Sequence, residues 1–340
     1  MLKTLCNLDG VSGDEKEIRD FIKKEISPYV TSVETDTMGN LIAFKKGKNP
    51  DLKPIMVCAH MDEVGFIVTS ITDDGYLKFD EVGGFDERIL LTQAVRNKNV
   101  KGVIGIKAVH LQSKDERQTK VKMKNMYIDI GAKDKKDAEK VISVGDYLTF
   151  DSSYEEFGDG FICAKALDDR VGCFALINAA KNEYDNDIYF CFSVQEEVGL
   201  RGALVLTRKL NPLCCIVLEC TTALDIPFTD EHQKVTVLGD GVALSVIDRR
   251  TIYNKNLNRF IMDTANECGI KYQIKKAAQG GNDAGVISTG ASGCAISVLS
   301  VPSRNIHSGV CVAKKDDILS CEMLLKATLE NIKDFKEDLK

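Results

Sequence analysis

No part of this 340-residue chain is basic enough to suggest a polyanionic partner: 45 lysines and arginines face 51 aspartates and glutamates, for a net charge of −6. Nucleic acid and anionic membrane surfaces are therefore not expected partners. No apolar run approaches the ~18 residues that cross a bilayer. The opening Met1-Leu-Lys-Thr-Leu-Cys-Asn-Leu-Asp9 is too short and too soon charged for a signal peptide. Twelve cysteines include no C-x-x-C pair, which removes zinc-finger and thioredoxin readings. Most of them, such as Cys58, Cys173 and Cys191, sit inside apolar runs where a thiol packs as a small hydrophobe. Reduced thiols and a cytoplasmic location are the expectation. GxGxxG, P-loop and GxSxG elements are also missing, so neither a nucleotide nor a serine nucleophile is indicated. Histidine is scarce, at four residues.

What is present has the texture of a globular protein, with 44% hydrophobic and 28% charged residues. A chain of this length fits about two domains. Ser12-Gly-Asp-Glu15 reads as a capping box opening an amphipathic helix through Ile18, Phe21, Ile22 and Ile26. Short strands are expected near 30–34 and 40–45. From about residue 68 to 161 short alternating segments are broken by Asp73-Asp-Gly75, Gly83-Gly84, Asn97-Lys-Asn99 and Gly145-Asp146. That texture indicates a small β domain, with one helix expected at 134–141. Beyond Ala164 helical patterns at 171–181, 257–268 and 316–335 alternate with apolar strands. The expected fold is therefore α/β, a mainly parallel sheet flanked by helices, formed by residues 1–66 and 164–340. Residues 67–163 form the inserted β domain, whose strand edges would mediate self-association.

Four apolar runs each lead into a residue able to bind metal. Ile55-Met-Val-Cys-Ala59 runs into His60-Met-Asp62, and Ile188-Tyr-Phe-Cys-Phe-Ser-Val194 into Gln195-Glu-Glu197. Cys214-Cys-Ile-Val-Leu218 meets Glu219, and Ala295-Ile-Ser-Val-Leu-Ser-Val301 is followed by His307. Runs of this kind read as buried parallel strands, and sites in open α/β sheets lie beyond the carboxyl ends of such strands. On an extended backbone His60 and Asp62 point to one side, so Asp62 can hold the imidazole's second nitrogen. Glu196 and Glu197 point to opposite sides, so one is suited to bind metal and the other to stay free as a base. Asp168-Asp169 precedes a helix starting near Arg170, where Asp168 could equally be a helix cap. His110 and His232 fall in polar stretches and read as ordinary surface residues. A nitrogen and oxygen donor set without thiolate suits zinc, cobalt or manganese.

Taken together, His60-Met-Asp-Glu-Val-Gly-Phe66, Val82-Gly-Gly-Phe-Asp86, Lys165-Ala-Leu-Asp-Asp-Arg170, Gln195-Glu-Glu-Val-Gly-Leu-Arg-Gly202, Gly280-Gly-Asn-Asp-Ala-Gly285 and Pro302-Ser-Arg-Asn-Ile-His-Ser308 resemble the M42 family of metallo-aminopeptidases. The likeness implies two divalent metal ions per subunit, zinc or cobalt and with manganese also suitable, bridged by Asp168. His60 and Glu219 would complete one ion, and Glu197 and His307 the other. Glu196 would be the general base and Asp62 the residue orienting His60. The family fold is similar to the one read above, a zinc-peptidase-like α/β domain with a small inserted β-barrel-like domain used for dimerisation. In several members the dimers build a hollow homododecamer, and the substrates are peptides. Glu219 departs from the aspartate of many relatives, and Asn282 and Asn305 replace frequent threonine and tyrosine. Residues 309–311 lack the proline and glutamate often found there. Two rival readings are an endo-β-glucanase, because some members carry that name, and a non-catalytic metal-binding scaffold. A glycosidase needs two carboxylates and no histidine–metal set. A structural metal site is usually closed, without a free base beside it.

Overall fold

The computed structural model describes residues 1–290 and 292–336. Four strands at its centre are almost entirely buried, as their largely apolar composition requires. Ile188–Ser193, Ile55–His60, Cys214–Thr222 and Ala295–Arg304 lie side by side in that order, all parallel. Successive side chains serve different layers. Ile55, Val57 and Ala59 face one apolar core, whereas Met56 and Cys58 face another. Helices Lys16–Ile26, Leu167–Ala179, Lys255–Glu267 and Lys315–Asn331 cover the first face, and Arg201–Lys209 with Ala284–Ile287 covers the second. The fold is thus α/β with helices on both sides of the sheet. Antiparallel strands extend it to eleven among the described residues, through Ser32–Thr35 and Leu41–Lys45 on one flank and Cys311–Lys314 on the other.

Between Gly65 and Phe150 six strands close into a barrel around its own core, with Phe66 packed edge-on against Phe79 and Phe150 at centroid distances of 5.4 and 5.0 Å. Closure removes the strand edges that the sequence reading assigned to self-association. Two further expectations need correction. Residues 155–163, placed in the insertion from turn signals, belong instead to the large sheet: Phe161–Ala164 pairs with Cys311–Lys314, and Glu155–Phe157 pairs with Phe161–Ala164 at the edge. The insertion also holds two short helices, Lys114–Gln118 and Lys135–Ala138, where one was expected.

The first amphipathic helix starts at Lys16 without a capping box, because the Ser12 hydroxyl donates to Asp62 Oδ2 at 2.6 Å. Cys58, Cys173 and Cys191 are free thiols, each buried. No described helix is long and apolar enough to cross a membrane.

Candidate metal centre

The carboxyl ends of the parallel strands converge on a cavity of about 600 Å³, lined by Asp168, Glu196, Glu197, Glu219 and His307 among others. His60 ends its strand and is 1% exposed. Glu219 lies inside a strand that continues to Thr222, rather than at a strand end. His307 sits in the loop after Ala295–Arg304 with φ +58, one of two left-handed non-glycine residues there. Backbone strain of this kind is tolerated where the surroundings fix it.

Asp168 is the hub. Its Oδ1 lies 3.3 Å from His60 Nε2, and its Oδ2 lies 3.3 Å from His307 Nε2. Glu219 Oε2 is 3.6 Å from the same His60 nitrogen, and Glu197 Oε1 is 3.4 Å from the same His307 nitrogen. Both histidines have their other nitrogen engaged. His60 Nδ1 lies 3.1 Å from the Asp62 carbonyl oxygen, and His307 Nδ1 lies 2.7 Å from that of Gly84. A carbonyl only accepts, so each Nδ1 carries a proton, and each Nε2 is the ring nitrogen turned toward the carboxylate oxygens. Carboxylates gathered around both Nε2 atoms call for positive charge there, whether a proton on the ring or a cation between ring and carboxylate. Ligands at zinc bond lengths in a tetrahedral arrangement are about 3.3 Å apart, close to these separations. Asp168 Oδ1 and Glu219 Oε1 have no hydrogen-bond partner although both are buried, which also fits metal-binding atoms. His60, Asp168 and Glu197 make one group with donor atoms close enough to share an ion, and His60, Asp169 and Glu219 make another.

The sequence reading did not use Asp169. Its Oδ1 accepts from the Gly172 amide at 3.0 Å, and regular helical geometry begins after it. Asp169 is therefore the helix cap, the role considered above for Asp168. A second correction concerns Asp62. Its carboxylate is 3.6 Å from His60 Nδ1, too long for a hydrogen bond, so its main-chain oxygen holds the imidazole. The carboxylate instead accepts from the amides of Glu196 and Glu197 at 3.0 and 3.1 Å. Gly84, Ser12 and Glu15 read in the sequence as turn, motif or cap residues, not as parts of the site. The Gly84 contact runs through a main-chain oxygen, which has no side-chain signature. His110 and His232 are exposed and outside the site.

Crowded acids shift one another. Burial raises Glu219 to about 8 and Glu197 to about 7, and it drives Glu196 well above the usual carboxylate range. Burial opposes the charge on Asp168 too, but the two imidazoles outweigh it and hold that carboxyl below its ordinary value. His307 is raised to about 9: burial resists its charge, and Asp168 and Glu197 favour it more strongly. Positive charge is what this cluster lacks.

Known proteins are similar to this chain in sequence and fold. The family model described as M42 glutamyl aminopeptidase matches residues 39–324. A putative aminopeptidase of Acetivibrio thermocellus is 40% identical, the match covering 96% of each chain. Among solved structures, a TET aminopeptidase from Thaumarchaeota archaeon SCGC AB-539-E09 superposes with a TM-score of 0.93 at 35% identity, covering 97% of this chain and 95% of that one. The Pyrococcus horikoshii TET1 peptidase, described as assembling into a tetrahedron or a large octahedral shell, gives 0.86 at 32%, with coverage of 96% and 98%. A Thermotoga maritima protein titled endoglucanase gives 0.83 at 38%, with coverage of 98% and 97%. With a model match over most of its length and relatives of this identity, the chain belongs to the M42 glutamyl aminopeptidase family of peptidases.

Proposed function

We propose that this protein is a metal-dependent aminopeptidase that removes N-terminal residues from peptides, with a pair of divalent cations and Glu196 as general base. The observation that carries the reading is the division of Asp168, one oxygen toward each histidine at 3.3 Å. A carboxylate so placed suits a bridge between two ions. His60 and Glu219 would hold one, and Glu197 and His307 the other. Zinc or cobalt fits the nitrogen and oxygen donors, and manganese is also suited. Cations there would lower the pKa of water from ~15.7 toward about 7 and polarise the scissile carbonyl.

The protein's own residues do the rest. Glu196 lines the cavity and, like Glu197, is fixed through its backbone amide, so its carboxylate remains available. It takes the proton from the attacking water and delivers it to the leaving amine, a service typically giving about 10² to 10⁴-fold. The acid-rich wall around Asp168 and Glu219 suits the substrate's α-ammonium.

The test is metal removal followed by assay on paired peptides. After chelation, activity on a free-N-terminus peptide should vanish, and zinc, cobalt or manganese should restore it. The same peptide acetylated at its N-terminus should stay uncut. Release of sugar from β-glucan, or cleavage of the blocked peptide at an equal rate, would overturn the assignment.

A further inference from the structure

The turn bearing Glu196 and Glu197 is held by residues from the start of the chain. Three consecutive amides end on buried carboxylates. The Gln195 N–H donates to Glu15 Oε1 at 3.2 Å, across 180 residues of sequence. The next two donate to Asp62. Both acceptors are themselves fixed. Glu15 Oε1 also accepts from the Gly13 amide at 2.7 Å, and Asp62 Oδ2 accepts from the Ser12 hydroxyl at 2.6 Å. Ser12 and Glu15 are each 4% exposed, and Asp62 is fully buried. Gln195 has φ +56, a left-handed conformation that a glutamine adopts only when its surroundings impose it.

A loop after a strand has no rigidity of its own, so something must set where its side chains leave it. Two buried carboxyl groups accept from all three peptide units here, at 3.0 to 3.2 Å, and so fix them. The residues Ser12-Gly-Asp-Glu15, which the sequence pattern suggested as a helix cap, are thus spent on this turn instead.

We propose that Ser12 and Glu15 are positioning residues for Glu196, holding the turn at 195–197 so that the two glutamates diverge, one toward the cavity and one toward His307. This role depends on the reading of Glu196 as the base. A catalytic group displaced by about 1 Å can cost up to about 10²-fold in rate.

The experiment measures kcat, KM, bound metal and melting temperature for Ser12→Ala, Glu15→Ala and Glu15→Gln, each alone and combined with Glu196→Gln, in the metal-loaded full chain. For Glu15→Ala we expect kcat about tenfold lower or more, a smaller loss for Ser12→Ala, KM within about twofold and both ions retained. Glu15→Gln keeps an oxygen that can accept from Gln195 and should recover most of the rate. On the Glu196→Gln background the same changes should cost nothing further, because residues acting as one unit are not additive. Should Glu15→Ala fail to fold, Ser12→Ala carries the cycle alone. Equal losses in both backgrounds would overturn the positioning role and leave the base assignment standing. An unchanged kcat in folded Ser12→Ala and Glu15→Ala would do the same. Full activity of Glu196→Gln by itself would overturn the base assignment, and this role with it.

Discussion

Adjacent residues in this protein repeatedly take opposite duties. Asp168 offers its oxygens to two histidines while Asp169 caps the helix behind it. Glu197 Oε1 lies 3.4 Å from His307 Nε2, and both glutamates line the cavity. The division of labour proposed for the glutamates gives a sharp expectation. Glu196→Gln keeps the shape and removes the proton acceptor, so kcat should fall by about 10² or more with both ions bound and KM little changed. Glu197→Gln should weaken one ion and regain part of its activity when metal is added. Metal analysis alongside kinetics separates the two, and loss of metal in the Glu196 variant alone would reverse the roles. The sequence reading puts this pair on an extended backbone, whereas the strand ends at Ser193 and the two glutamates lie in the turn after the left-handed Gln195. The same reasoning failed for Asp62, whose side chain it directed to His60. There the choice between a main-chain and a side-chain oxygen was settled by the turn at 195–197, which no local pattern reveals.

At the level of elements, the four parallel strands were readable because strands buried on both faces are apolar without interruption. The long helices were readable from their spacing. Pairing partners were not. Glu155–Phe157 and Phe161–Ala164 are short segments like those of the barrel, and only tertiary contact decides that Phe161–Ala164 joins Cys311–Lys314 and carries Glu155–Phe157 with it. The barrel also enters the site more directly than its sequence suggested, through Gly83 and Gly84. Gly83 has φ +84, and a Cβ there would lie 2.7 Å from Val64 Cγ1 and 3.3 Å from Glu197 Cβ. Gly84 is different: a Cβ there meets nothing within 4 Å, and its carbonyl accepts from His307. Gly83→Ala should therefore strain the loop, lower the melting temperature and weaken metal binding by about 10 to 100-fold, the scale for a lost outer-shell partner. Gly84→Ala should leave both unchanged. Melting curves and competition with a chelator read the difference, and equal effects from the two substitutions would refute the distinction.

For the whole molecule, the expectation from the insertion is self-association, although the closed barrel supplies no strand edge for it. Its surface supplies apolar side chains instead. Val109 and Leu111, two residues apart, are each 63% exposed. Light scattering at micromolar concentration should report a mass that is a multiple of 37.5 kDa. Val109→Asp combined with Leu111→Asp should shift it downward. A native mass of 37.5 kDa would exclude the assembly. The hydrogen bond from His307 to the Gly84 carbonyl then acquires a thermodynamic meaning. Under the proposed metal site, a subunit contact that moves the barrel relative to the sheet would change the free energy of holding an ion at His307. By linkage, the ion would change the strength of that contact by the same factor. Subunit association and metal affinity would on that account be two readings of one equilibrium, each titrated through the other.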